Sequence, residues 1–596
     1  MKELMYPFDG AFLLKNKKKI RRKLMEEKVV RIKKKIAVLG GSTTDDIISM
    51  MELFLLEQGI EPDFYQSEYG RYWQDAVFGT DELLSFKPDV IYVHTTSRNI
   101  TEYSLDMNNE PSSYQEMLKR QYEHFNFMWE KLREVYACPI IQNNFEYPLY
   151  RTQGNRDCWD YRGKVNFINR LNLMLSDYAS EHEGFYINDI NYISACYGLD
   201  KWLEPSYWYL YKYALNIYAI PELSFNVSNI IKSLFGQNKK ALALDLDNTL
   251  WGGVIGDDGV SGIDIGMETA AAEAYRAFQQ YIKEQKQIGV MLSVCSKNDY
   301  ENALAGLEHP DGVLKPDDFL CIKANWEPKD VNVENIAHET GILPESIVFA
   351  DDNPAEREIV SSQLGIRTPE LDNPEDYIRI IDRNGFFEVT AFTSDDLRRN
   401  EMYRQNAERA AVCRQYENYS DYLLSLEMKA VIEGFRSMYI PRITQLTNKS
   451  NQFNLTTKRY TQQEIEKVGH DKNHICLYGR LIDKFGDNGI VSVVIGRIEN
   501  SALHIELWLM SCRVLKRDME FAMLDSLVRE CQQRNINKIY GYYYKTKKNA
   551  MVSSLFGQFG FEQLEADESR SKWKLDLSGY INQNKVIMVE EGEMAI

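Results

Sequence analysis

The sequence predicts an α/β protein of several domains, on three observations. First, short apolar runs that read as buried strands alternate with longer helical patterns, as in Ile36-Ala37-Val38-Leu39 followed by a helical run through Leu56. That alternation implies parallel sheets. Second, two of these runs end in paired acidic residues: Ala241–Leu244 before Asp245-Leu246-Asp247, and Ile347–Ala350 before Asp351-Asp352. Third, from about residue 431 the pattern changes to closely spaced strands such as Gly489–Ile495 and His504–Met510 around one helix near Glu520–Glu530, an α+β signature.

Composition narrows the class. With 596 residues, 44% hydrophobic and 27% charged, the chain has enough apolar side chains for several cores and is not disordered over most of its length. No window approaches 18 uninterrupted apolar residues, and the N-terminus lacks a signal-peptide pattern, so a cytoplasmic protein without a transmembrane segment is expected. The net charge of −18 makes nucleic acid an unfavourable partner. Residues 1–36 run against that balance, with 13 Lys/Arg and 4 Asp/Glu interleaved with Leu13, Leu14, Ile20 and Leu24. They read as a basic amphipathic helix lying on the acidic body. Nine cysteines without CxxC spacing exclude the usual zinc ribbon and argue against a disulfide framework.

In chain order the expected units are a basic helical N-terminus (1–35), an α/β domain (36–235), a second α/β domain (236–385), a helical connector (386–430), an α+β domain (431–578) and an acidic tail (579–596) frayed over Val589–Ile596. The first α/β domain has strands at Ile36–Leu39, Val90–Val93 and Pro139–Ile141. The second has strands at Ala241–Leu244, Val290–Val294 and Ile347–Ala350.

The chemistry concentrates in the second α/β domain. Open parallel sheets present ligands at the carboxyl ends of their strands, and Asp245 and Asp247 lie just past one such end. Two carboxylates there suit a hard cation such as Mg²⁺. Ser296 closes the strand Val290–Val294, Lys329 follows in Trp326-Glu327-Pro328-Lys329, and Asp351-Asp352 closes a third strand. These four elements, in this order, resemble the haloacid dehalogenase (HAD) phosphohydrolase superfamily. The resemblance implies Asp245 as nucleophile, Asp247 as general acid and then base, Thr249 and Ser296 positioning phosphoryl oxygens, and Lys329 offsetting charge. It also implies a Mg²⁺ site made by Asp245, the Asp247 carbonyl, and Asp352 or Asp351. Ser296 and Lys329 are 33 residues apart, which leaves no room for a cap domain, so the site is expected to be open and to accept a large or tethered substrate.

The segments Leu250-Trp251-Gly252-Gly253-Val254-Ile255-Gly256-Asp257-Asp258-Gly259, Ser296-Lys297-Asn298-Asp299, Asp351-Asp352-Asn353-Pro354-Ala355-Glu356-Arg357 and Asn451-Gln452-Phe453-Asn454-Leu455-Thr456-Thr457 resemble the FkbH-like proteins, HAD subfamily IIIC. That likeness implies a phosphatase/acyltransferase. It would remove phosphate from an acyl phosphate, 1,3-bisphosphoglycerate, and load the glyceryl group on the phosphopantetheine thiol of an acyl carrier protein. Cys295, beside Ser296, is then a candidate acyl acceptor. The alternatives are a phosphatase for a phosphorylated metabolite or sugar in a surface-polysaccharide pathway, and a non-catalytic biosynthetic scaffold.

The flanking domains resemble two further folds. Gly40-Gly41-Ser42-Thr43 and Ile187-Asn188-Asp189-Ile190 look like parts of an SGNH-hydrolase domain, but position 192 is Tyr where that family keeps histidine. No base is placed for Ser42, and the domain reads as a scaffold or recognition module. The last domain looks like a GNAT acyltransferase. Its loop Lys516-Arg517-Asp518-Met519-Glu520 lacks the glycines that hold a coenzyme A pyrophosphate, which disfavours acyl-CoA and leaves Lys516 and Arg517 as candidates for a phosphopantetheine phosphate.

Overall fold

The computed structural model describes residues 1–27, 29–391, 399–413, 415–450, 452–546 and 548–590. The expected connector therefore lies partly outside the described residues, as do Asn451 of the quoted motif and residues 591–596 of the expected tail. The chain divides into two compact units, Met1–Gln237 and Asn238–Ile596.

The first unit opens with a helix, Gly10–Glu26, started by Asp9, whose side chain accepts from Phe12 N at 3.0 Å. Leu13, Ile20 and Leu24 on one face are buried. On the other, Lys17 and Arg21 pair with Asp46 and Glu52 of the next helix at 2.6 and 2.8 Å. The basic segment thus spends part of its charge on the acidic body of its own unit. A five-stranded sheet follows, of β1 (Ile32–Gly40), β2 (Ile60–Gln66), β3 (Val90–His94), β4 (Ile140–Asn143) and β5 (Phe185–Asn188). All its pairings are parallel, in the order β2-β1-β3-β4-β5. One core cluster lies on each face, one around Phe54 and Tyr92 and the other around Trp129 and Phe125, so β1 and β3 are apolar on both sides.

The second unit begins with a parallel sheet of β6 (Ala241–Leu244), β7 (Met291–Ser296), β8 (Cys321–Ala324) and β9 (Ile347–Ala350), in the order β8-β7-β6-β9. Leu242, Leu244, Leu292 and Val294 face one core; Ala241, Ala243, Met291 and Cys295 face the other. The acidic β6 end is thereby placed centrally, between the ends of β7 and β9. Helices return the chain between strands. Thr269 starts Ala270–Gln287 by accepting from Ala272 N at 3.0 Å, and Asn353 starts Pro354–Leu364 by accepting from Ala355 N at 2.9 Å.

The remainder of the unit holds β10 (Lys429–Gly434), β11 (Phe453–Asn454), β12 (His474–Asp483), β13 (Gly486–Glu499), β14 (Ala502–Met510), β15 (Lys538–Tyr544), β16 (Glu562–Ala566), β17 (Arg570–Asp576) and β18 (Met588–Glu590). They form one mixed sheet, with β11 paired to β14. The antiparallel run β12-β13-β14, the helix Met519–Gln533, and then β15 parallel to β14 make the GNAT-type arrangement expected from the sequence. The tail departs from expectation. Met588–Glu590 is not frayed but pairs in parallel with Lys429–Val431 of β10, covering an otherwise bare edge. Among the described residues no helix is long and apolar enough to cross a membrane.

Candidate active site

The site forms where β6, β7 and β9 end together. Asp245 N continues the ladder by donating to the Ala350 carbonyl at 2.9 Å, which sets Asp245 beside Asp351. Lys329 occupies the first turn of the helix Lys329–Thr340, almost fully buried, and its ammonium reaches both acids: 2.9 Å to Asp245 Oδ2 and 2.5 Å to Asp351 Oδ2. Burial alone would lower the lysine pKa, but the two carboxylates outweigh it and hold the ammonium charged. Asp351 is fully buried, and desolvation and the Asp245 charge raise its pKa above the usual carboxylate range despite Lys329. Burial and Asp245 raise Asp352 as well.

One oxygen from each of Asp245, Asp351 and Asp352 lies within 4.8 Å of the others. Three carboxylates against one ammonium leave a negative excess at a buried point. Asp245 Oδ1 is itself buried without a hydrogen-bond partner, an arrangement disfavoured unless something positive meets it. This donor set of hard oxygens fits a divalent cation of the Mg²⁺ type. Both Asp351 and Asp352, the two candidates left open by the sequence, are in the cluster.

Asp247 stands slightly apart. Its Oδ1 accepts from Trp251 Nε1 at 2.8 Å and Ile255 N at 3.1 Å, and its Oδ2 accepts from Asn298 Nδ2 at 3.0 Å. Burial, with a contribution from Asp245, raises its pKa. The turn that aims it is built around Asn248, at a positive φ of 54° that asparagine tolerates better than most residues. The Asn248 carbonyl accepts from Tyr377 Oη at 3.0 Å, and its side chain accepts from Gly253 N at 3.0 Å. Thr249 is buried and accepts from Asp352 N at 3.2 Å, tying the β6 and β9 loops together. Ser296 is buried at the end of β7. Arg357, not singled out from the sequence, braces the acidic loop from behind by donating to the carbonyls of Asp351 and Asp352 at 2.8 and 2.7 Å.

Cys295 needs correction. It is fully buried, on the opposite face of β7 from Val294, within the cluster of Met291, Val333 and Ile336. Its Sγ lies 3.6 Å from the Lys329 carbonyl oxygen, and burial pushes the thiol far above its ordinary value. A thiol so placed is inert as an acyl acceptor. Asn298 and Trp251 were the residues missed. The available signals were a polar side chain two positions after Ser296 and an indole four positions after Asp247.

In the first unit, Ser42 is buried and its Oγ has no hydrogen-bond partner. Asp189 is a helix cap: it accepts from Tyr192 N at 3.0 Å and Asn144 Nδ2 at 2.7 Å. In the GNAT-type sheet, β14 and β15 pair only over Ala502–His504. Beyond that point the gap is filled by the chain itself. Phe453 and Asn454 pair with Met510 and Leu509, Leu455 N donates to Trp508 O at 3.0 Å, and Leu455 O accepts from Tyr544 N at 2.9 Å. Arg517 also departs from expectation, because its buried guanidinium donates to Asp483 at 3.1 Å, Asn488 at 3.2 Å and Asn406 at 2.7 Å, and is committed internally rather than turned to a phosphate.

Residues 35–232 match the family described as FkbH, N-terminal domain. The N-terminal part of protein BF1531 from Bacteroides fragilis, which contains a phosphatase domain and is complexed with Mg, is 27% identical at a TM-score of 0.58, covering 63% of this chain and 99% of its own. Ribosomal-protein-S18-alanine N-acetyltransferase from Escherichia coli is 10% identical, covering 28% of this chain and 99% of its own, at a TM-score of 0.21. A GNAT-family acetyltransferase from Staphylococcus aureus Mu50 is 14% identical, covering 25% and 99%, at 0.20. No curated protein matches. The chain is thus similar to an FkbH amino-terminal domain over residues 35–232 and to a phosphatase-containing structure over 63% of its length.

Proposed function

We propose that the chain is a Mg²⁺-dependent phosphohydrolase of the HAD type in which Asp245 takes up the phosphoryl group. The observation that carries this reading is the cluster of Asp245, Asp351 and Asp352 around Lys329, with one Asp245 oxygen buried and unpartnered. The carboxylates of Asp245, Asp351 and Asp352 and the Asp247 carbonyl would hold a Mg²⁺ ion, which would offset the repulsion of a carboxylate nucleophile and phosphoryl oxygens.

The chain's own residues do the rest. An Asp245 oxygen attacks phosphorus, and the bond from phosphorus to the leaving oxygen breaks, giving an aspartyl phosphate. Asp247 gives its proton to the departing oxygen and then takes one from the water that attacks the aspartyl phosphate, which releases inorganic phosphate and restores Asp245. Lys329, Thr249 and Ser296 surround the phosphoryl oxygens and offset their charge. Only Asn325–Pro328 separate β8 from the Lys329 helix, so no cap covers the site there, which favours a bulky or protein-tethered substrate.

The finer reading is acyl transfer from an acyl phosphate to the phosphopantetheine thiol of a carrier protein. The FkbH-type match over 35–232 supports it. Attack of Asp245 on phosphorus releases a free carboxylate, which is not activated for thioester formation. Loading therefore requires the carrier thiol to attack the carbonyl carbon, breaking the carbon–oxygen bond and expelling phosphate whole, with no part for Cys295. The experiment is incubation with Mg²⁺, 1,3-bisphosphoglycerate and a phosphopantetheinylated carrier in ¹⁸O-water, read by intact mass of the carrier and isotope content of the phosphate. A glyceryl-sized gain on the carrier with unlabelled phosphate establishes transfer. Labelled phosphate and an unchanged carrier leave the phosphohydrolase acting on a metabolite or sugar phosphate. Equal phosphate release by wild type and Asp245→Asn refutes Asp245 as the nucleophile, and no release by wild type from any substrate refutes both readings and leaves a scaffold.

A further inference from the structure

The three donors around Asp247 divide its two oxygens unequally. A carboxylate offers about four lone-pair positions, two on each oxygen. Oδ1 has both of its positions taken, by Trp251 Nε1 at 2.8 Å and Ile255 N at 3.1 Å. Oδ2 has one taken, by Asn298 Nδ2 at 3.0 Å. One position remains on the whole group, on Oδ2.

Asn298 is itself held. It is nearly fully buried, and the residues on both sides are pinned from other elements. Lys297 pairs with Glu356 of the helix after β9 at 2.6 Å, and Asp299 accepts from Trp326 Nε1, on the loop after β8, at 2.9 Å. A loop fastened on both sides of one amide presents that amide in a single orientation, and the carboxylate that receives it cannot rotate without losing a buried hydrogen bond.

From this geometry we propose that Asn298 is a positioning residue that makes Oδ2 of Asp247 the atom that hands the proton to the leaving group. The proposal rests on the phosphohydrolase reading above. In the step it serves, the bond from phosphorus to the leaving oxygen breaks as the Asp247 O–H bond breaks. The proton passes to the leaving oxygen, and the electron pair stays on Asp247. Removing the Asn298 amide leaves the carboxyl chemically intact and held at Oδ1 by Trp251 and Ile255 but with Oδ2 no longer fixed, so the loss falls on substrates whose leaving group needs that proton.

The test compares wild type with Asn298→Ala in Mg²⁺ on aryl phosphates of graded leaving-group basicity. For phenyl phosphate, kcat is expected to fall at least about tenfold, part of the about 10²–10⁴-fold that a general acid contributes. For 2,4-dinitrophenyl phosphate, which departs without a proton, it is expected to change by less than about threefold, with KM unchanged for both. If the alanine variant does not fold, Asn298→Leu, close in size and without the amide, takes its place. An equal loss on every leaving group, or no loss, overturns the role of Asn298 while leaving the phosphohydrolase standing. A wild-type protein that releases no phosphate from these esters or from 1,3-bisphosphoglycerate overturns both.

Discussion

At the scale of single residues, the decisive arrangement is Lys329 between Asp245 and Asp351. Removing a charged group from water costs several kcal/mol, so a buried cluster with excess negative charge is held together by the surrounding fold rather than by its own attraction. Neutralising one acid should therefore relieve the metal-free protein. Asp245→Asn is expected to keep or raise the metal-free melting temperature, to lose phosphate release, and to lose the upward shift that Mg²⁺ gives wild type. Differential scanning fluorimetry with and without Mg²⁺ reads this, because a ligand bound only to the folded state stabilises it. A wild-type melting temperature indifferent to Mg²⁺ would sink the metal site.

A second residue carries a pH dependence. Glu520 sits in the first turn of the helix Met519–Gln533 with Oε2 buried and unpartnered, and burial raises its pKa from 4.5 to about 7. Between those values the native protein keeps a proton that the unfolded chain has released. The unfolded state then binds fewer protons, so stability falls as pH rises through the window, and the penalty is complete above about pH 7. Glu520→Gln is expected to raise the melting temperature at pH 8 and to change it little at pH 4.5. An equal shift at both pH values would show that charge is not the cause.

At the scale of elements, the sheet of β10 to β18 has a GNAT-type order but a filled cleft. Diverging parallel neighbours leave backbone donors and acceptors bare, and an extended ligand normally satisfies them. Here Phe453–Leu455 does so from within the chain, and Arg517 is spent on Asp483. Coenzyme A and acetyl-CoA are accordingly expected to show no saturable heat on titration into the full chain. Saturable binding at micromolar concentration would contradict the account. The same segment illustrates how far sequence reading reached. The structure makes Phe453–Asn454 a strand, but nothing in the spacing of Gln452, Asn454, Thr456 and Thr457 reveals that its partner is Leu509-Met510.

At the scale of the molecule, each of the two compact units encloses its own apolar clusters, and the candidate chemistry lies wholly within the second. The architecture was legible because its signals are local. A four-residue apolar run such as Ala241–Leu244 can lie in a sheet buried on both faces, and the acids immediately after it must emerge at the strand end. Asp245 and Asp351 were recoverable by that rule, and Lys329 by the order of elements it shares with the HAD superfamily. What tertiary structure alone decided were questions of facing and partnership. Cys295 and Ser296 are neighbours in sequence, yet alternation along β7 sends the thiol into the core beneath Lys329. Asn298 and Asp247 are 51 residues apart and meet only because β6 and β7 are adjacent. Periodicity specifies which residues share a face; which distant groups satisfy one another's hydrogen bonds depends on how the strands are ordered, and that order is a property of the folded chain.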